Sequence, residues 1–158
     1  MDENVDVKGK KVLIIEDDPL LHTLLTDGLS PLSEKGLEIY PTMNAEQGLE
    51  RATSMKPDLI LLDLVLPEMS GFEFLEKLRE GSSEYANIPV VILSNLSDDS
   101  DREKAKKLGA IAYLVKADFT LSEISTAVLE FLRGRVDTFS NEPTTETKKS
   151  SSGFIMYL

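Results

Sequence analysis

The stretch PDLILLDLVLPEMSG, from Pro57 to Gly71, constrains the fold more than any other part of the chain. Its first half is an apolar run, Leu59 to Leu62, that stops abruptly at a carboxylate, Asp63. Such a run fits a strand covered on both faces, where a charge has no place. Asp63 is thereby put at the strand's carboxyl end, where open parallel sheets form their ligand crevices. Pro67 fixes the turn that follows, and Ser70 with Glu73 three residues on is a capping-box signature for the next helix.

The same punctuation recurs along the chain. Val12 to Ile15 ends in Glu16, Asp17 and Asp18, Pro89 to Leu93 ends in Ser94 and Asn95, and Ile111 to Val115 ends in Lys116. Leu37 to Tyr40 is a weaker strand candidate. Helical patterns lie between. Asp18 and Pro19 read as a cap and first turn before Leu21, Leu24, Leu25 and Leu29, and Asn44 with Gln47 caps a helix carrying Leu49 and Ala52 inward. The helix after Ser70 carries Phe72, Leu75 and Leu78 and is expected to end with Gly81 in the left-handed position. Ser97 is expected to cap a helix that is acidic at its start, basic at its end and closed by Gly109. Thr120 with Glu123 boxes a last helix striped by Ile124, Ala127, Val128, Phe131 and Leu132. Strand and helix patterns alternating in this way predict an α/β fold, a doubly wound parallel sheet of five strands with helices on both faces.

Composition narrows the function classes. With 28 acidic against 17 basic side chains in 158 residues, the net charge of −11 opposes contact with DNA phosphates. No cysteine is present, which excludes disulfides, thiolate nucleophiles and cysteine-type zinc sites. The start, MDENVDVKGKK, is polar and acidic, and no run is long enough for a membrane span, so neither nucleic acid nor membrane is an expected partner and the cytoplasm is the expected location. Residues 1–9 read as a polar extension, 10–134 as the domain, and 135–158 as a tail without an independent domain. The final FIMYL reads as the end of that tail, although five apolar residues after a linker can also add to a sheet edge or a groove. The only histidine, His22, has neither an acidic neighbour nor the helical hairpin of a phosphotransfer histidine, and is expected at the surface.

Glu16, Asp17 and Asp63 would meet at one sheet edge, and three like charges there call for a cation. Oxygen ligands and an acidic cluster suit magnesium, or manganese, with phosphoryl oxygens completing the shell. Lys116 and Ser94 would add a positive charge and a hydroxyl donor, and the Asp63 carboxylate would be the nucleophile that forms an aspartyl phosphate.

The pieces VLIIEDDP, PDLILLDLVLPEMSG, PVVILSN and AYLVKADFT, in this order, resemble the receiver domain of two-component response regulators over about residues 10–134. The resemblance implies a flavodoxin-like strand order, 2-1-3-4-5. It implies Asp63 as phosphoacceptor, Glu16 and Asp17 as the metal-binding acids, and Val65 as a metal ligand through its backbone carbonyl. It further implies Ser94 and Tyr113 as switch residues and Lys116 as the family's lysine. Partners would be a histidine kinase or histidine phosphotransfer protein and a downstream protein target, with signalling by a stand-alone receiver through protein contacts. Two departures stand out: Ala117 where the family usually has proline, and Asn95 where it favours a very small residue. Val65 and Leu96, which flank the path of the water that removes the phosphoryl group, are apolar here and imply a long-lived adduct. A metal-dependent phosphohydrolase working through an aspartyl phosphate is the rival enzyme; it usually has a second acid where this chain has Val65. A receiver-like binding module that is never phosphorylated is the other rival.

Overall fold

A computed structural model describes residues 6–133, 146–149 and 154–158 of the chain. Strands β1 (Lys11–Ile15), β2 (Glu38–Thr42), β3 (Leu59–Leu62), β4 (Val90–Ser94) and β5 (Ala112–Val115) run parallel in the order β2-β1-β3-β4-β5. The helices α1 (Pro19–Gly28), α2 (Ala45–Met55), α3 (Gly71–Glu80), α4 (Asp99–Lys107) and α5 (Leu121–Leu132) follow their strands in turn. The doubly wound sheet and its order are those expected from the sequence.

Residue parity explains why both faces are covered. Val12, Ile14, Leu59, Leu61, Val91, Leu93, Ala112 and Leu114 point to one side, against Leu25 of α1, Leu29 just after it, and Ile124 and Val128 of α5. Leu13, Ile15, Ile60, Leu62, Val90, Ile92 and Tyr113 point to the other, against Ala52 of α2, Phe74, Leu75 and Leu78 of α3 and Ala105 of α4. β1, β3, β4 and β5 are thus apolar at consecutive positions because each serves two cores.

The caps follow the sequence with small exceptions. Asp18 Oδ1 accepts from Leu20 N at 3.0 Å, Asn44 Oδ1 from Gln47 N at 2.9 Å and Ser70 Oγ from Glu73 N at 3.2 Å. Both arms of the Thr120–Glu123 box close, at 3.2 and 3.0 Å. The cap of α4 is Asp98 instead of Ser97. Gly81 is extended and not left-handed, since the chain leaves α3 directly into a single helical turn, Ser83–Ala86.

The sheet continues past β5. Strand β7 (Phe154–Tyr157) lies antiparallel on β5, and β6 (Glu146–Lys149) pairs antiparallel with β7. The FIMYL end adds to a sheet edge, the less expected of its two sequence readings.

Candidate functional site

The site forms where the two central strands give out. β1 and β3 pair in register up to Ile15 and Leu62, so the next residue of each, Glu16 and Asp63, emerges side by side. Asp63 N donates to Ile15 O at 3.0 Å and Glu16 N to Thr42 O at 3.1 Å, which fixes both carboxylates to the sheet. The two are buried and Asp17 is exposed, and one carboxylate oxygen from each of the three lies within 4.8 Å of the others. Gly71 is required at the start of α3, because a Cβ there would collide with Asp63 O and Leu64 Cα.

Lys116 reaches this cluster from the end of β5. Its Nζ lies 2.5 Å from Glu16 Oε2 and donates to Asp63 Oδ2 at 2.8 Å. Asp63 Oδ1 accepts from Val65 N at 3.1 Å, and Glu16 Oε1 from Asp18 N at 3.2 Å. Burial pushes the Glu16 carboxyl up to about 7, with the negative charge of Asp63 adding to it and Lys116 opposing. Burial on its own would lower Lys116, but its bonds to Asp63 and Glu16 prevail and hold it above the ordinary lysine value. One ammonium facing three carboxylates leaves the cluster negative. An all-oxygen donor set of that charge fits a hard divalent cation such as magnesium or manganese, held by Glu16, Asp17 and Asp63.

The ends of β4 and β5 complete the edge. Ser94 is fully buried, and its Oγ faces Leu96 N at 3.4 Å. Tyr113 lies inside the fold, 1% exposed, donating its hydroxyl to Leu96 O at 2.5 Å, with the Arg102 guanidinium 5.9 Å from its ring centre. Burial raises the Tyr113 phenol to about 12, so it remains a donor across the physiological range. Val65 is 56% exposed beside the site, and Leu96 is half-buried.

Sequence reasoning missed two features. His22 is buried, and its Nε2 faces the carbonyl oxygens of Glu16 and Thr42, the latter at 2.9 Å. The surface expectation fails because position 22 shares a helical face with Leu25 and Leu29, a spacing that was available to read. The second is a bond between the two unusual residues: Asn95 Oδ1 accepts from Ala117 N at 3.1 Å. A proline at 117 has no N–H to give, so the two departures from the family pattern answer each other. Ala117 lies in a 3-10 turn, Lys116–Asp118, directly after β5.

The chain is similar to known proteins in family and in fold. The family model for the response regulator receiver domain matches residues 12–129. The chain is 35% identical over 132 residues to the KDP operon transcriptional regulatory protein KdpE of Escherichia coli, covering 84% of this chain and 55% of that protein. It is 34% identical over 126 residues to a protein-glutamate methylesterase/protein-glutamine glutaminase of Archaeoglobus fulgidus, covering 78% of this chain and 34% of that protein. The chain thus spans from a third to little over half of these relatives. Among solved structures, the chemotaxis response regulator CheY4 of Vibrio cholerae superposes with a TM-score of 0.66 at 26% identity, over 78% of this chain and 98% of that one. A CheY-like receiver domain protein of Methanospirillum hungatei shares the fold with a TM-score of 0.67 at 23% identity, over 84% and 98%.

Proposed function

The chain belongs to the response regulator receiver domain family, and on that premise we propose that it is a phosphorylation-controlled switch with Asp63 as phosphoacceptor. The observation that carries this reading is Lys116 held between Asp63 and Glu16 beside Asp17 at the carboxyl edge of the sheet. A histidine kinase or phosphotransfer protein would be the donor. An oxygen of the Asp63 carboxylate attacks phosphorus, the bond from phosphorus to the donor's imidazole nitrogen breaks, and the imidazole leaves with that electron pair. Lys116 stays on the cluster as a fixed cation and meets the charge on the phosphoryl oxygens, and the Ser94 hydroxyl supplies a donor from β4. Glu16, Asp17 and Asp63, with the Val65 carbonyl, would hold a divalent cation, which would supply charge neutralisation to the transfer.

Output runs through Ser94 and Tyr113. A phosphoryl group that draws Ser94 toward it acts on Leu96, which is bonded to both the Ser94 and Tyr113 hydroxyls, and so shifts the α4–β5–α5 face toward one of two states. A downstream protein reads that face. The test is incubation with magnesium and acetyl phosphate followed by intact mass. One phosphoryl adduct is expected, lost in Asp63→Asn and weakened in metal dependence by Asp17→Asn. An adduct that survives undiminished in Asp63→Asn would overturn the assignment.

A further inference from the structure

The parallel sheet has two edges of opposite character. β2 carries Glu38 and the N–H-free Pro41, both exposed, and these blunt an edge against further pairing. β5 reads Ala112, Tyr113, Leu114, Val115, with no charge and no proline, and is the edge on which a strand can add. β7 occupies it. Ala112 pairs with Tyr157 and Tyr113 with Met156, while Leu158 N donates to Ile111 O at 3.0 Å and Leu158 packs, half-buried, on the core layer that contains Tyr113.

The occupying segment shows what the edge accepts. Phe154–Tyr157 is, like β5, free of charge and proline, whereas the outer strand β6 reads Glu-Thr-Lys-Lys. Charged residues on the outermost strand discourage another chain from adding there. The hairpin therefore replaces an adhesive edge with a repellent one.

We propose that the β5 edge is a strand-docking site for an extended, uncharged segment of a partner protein running antiparallel to β5, and that the chain's own Phe154–Tyr157 is a removable cap on it. Backbone hydrogen bonds supply affinity in this mode, as in other sheet additions. The short pairing of β7 with β5 makes the cap displaceable. Its tethering gives it an effective concentration on the order of millimolar, so a free strand must outcompete that before it binds.

The experiment compares the full chain with its Met156→Pro variant, since proline in the middle of β7 removes an N–H and is poorly tolerated in a paired strand. Amide exchange should accelerate at least tenfold in Ile111–Leu114 of the variant while β1 and β3 keep their protection, which verifies the fold. A synthetic peptide Ser-Ser-Gly-Phe-Ile-Met-Tyr-Leu is then titrated against both proteins and followed by amide shifts. At least tenfold tighter binding to Met156→Pro, with shifts centred on Ala112–Val115, is the expected result. Equal binding to both proteins, no binding to the variant, shifts away from β5, or unchanged β5 exchange each overturns the proposal.

Discussion

The ends of β1 and β3 and the ends of β4 and β5 meet over one carboxylate yet are built differently. At β1 and β3 the backbone does the holding: Glu16 and Asp63 are bonded to neighbouring strands through their own N–H groups, and Thr42 Oγ1 donates to Ile14 O at 2.9 Å beneath them. At β4 and β5 the loops are held by side chains, through Tyr113 to Leu96, Asn95 to Ala117 and Lys116 to its carboxylates. Backbone pairing can be broken only with the strand, whereas a side-chain bond can be exchanged for another. The first half is therefore suited to keep ligands in place and the second to change conformation.

Lys116 belongs to the second half but neutralises the first, so removing it gives the largest expected effect. Lys116→Gln leaves three carboxylates with no ammonium among them, and loss of one preorganised charge at a reacting centre typically costs about 10²–10³ in rate. The initial rate of Asp63 adduct formation from acetyl phosphate at saturating magnesium should fall by about that factor. A fall of less than tenfold would mean that the cation is mainly structural.

The next effect is confined to the first half and appears only without metal. The Glu16 carboxyl, raised from 4.5 to about 7, holds its proton more tightly folded than unfolded. Its contribution to stability is therefore largest below pH 4.5 and is lost as pH rises from there through about 7, by at most about 3 kcal/mol. Lys116, which faces Glu16 and is held above the ordinary lysine value, keeps its charge through that window. In metal-free buffer, urea unfolding should show wild type losing more stability between pH 5 and pH 8 than Glu16→Gln does. Equal losses would remove Glu16 as the cause.

How much of this could be read beforehand differs between the halves in the same way. Apolar runs ending in Glu16 and Asp63 gave two strands and the acidic cluster, because burial on two faces leaves a strong local mark, and the alternation with helices gave a parallel sheet; the strand order came only with the family resemblance. Lys116 and Ser94 were also legible, being the polar stops of β5 and β4. What stayed hidden depends on contacts across long separations. Asn95 meets Ala117 across twenty-two residues, and His22, whose burial its helical spacing did signal, closes on Thr42 across twenty. Phe74 was passed over for a different reason: α3 buries a wider stripe than Phe72, Leu75 and Leu78 alone define. The hairpin from the region read as a tail was hidden because a strand of four residues has no pattern of its own until the β5 edge accepts it.

A third prediction concerns the gap between the halves, where water would reach the phosphoryl group. Val65 is exposed there and Leu96 half-buried, and neither side chain can orient a water molecule. The adduct should be long-lived, and Val65→Asn or Leu96→Glu should speed its decay about tenfold, which corresponds to roughly 1.4 kcal/mol of barrier. Decay followed by intact mass checks this. If neither variant decays faster, the lifetime is set elsewhere.

The smallest effect sharpens the comparison most, because it isolates one exchangeable bond of the second half. Asn95 and Ala117 each depart from the family's usual residue, and their bond joins the loop after Ser94 to the turn that carries Lys116. The donor is a backbone N–H that exists only because residue 117 is not proline. Asn95→Ala removes the acceptor and Ala117→Pro removes the donor, so each should cost about 1 kcal/mol, as a single hydrogen bond does. Ala117→Pro also stiffens the turn, which offsets part of its cost through the unfolded chain. The double variant should cost less than the two single costs added together, since the second change has no bond left to break. Urea unfolding of the four proteins gives the coupling, and the adduct-formation rate, which Lys116 position governs, should follow the same pattern. Additive costs would show that the two residues act independently, and the loops would then owe their placement to Lys116 and Tyr113 alone.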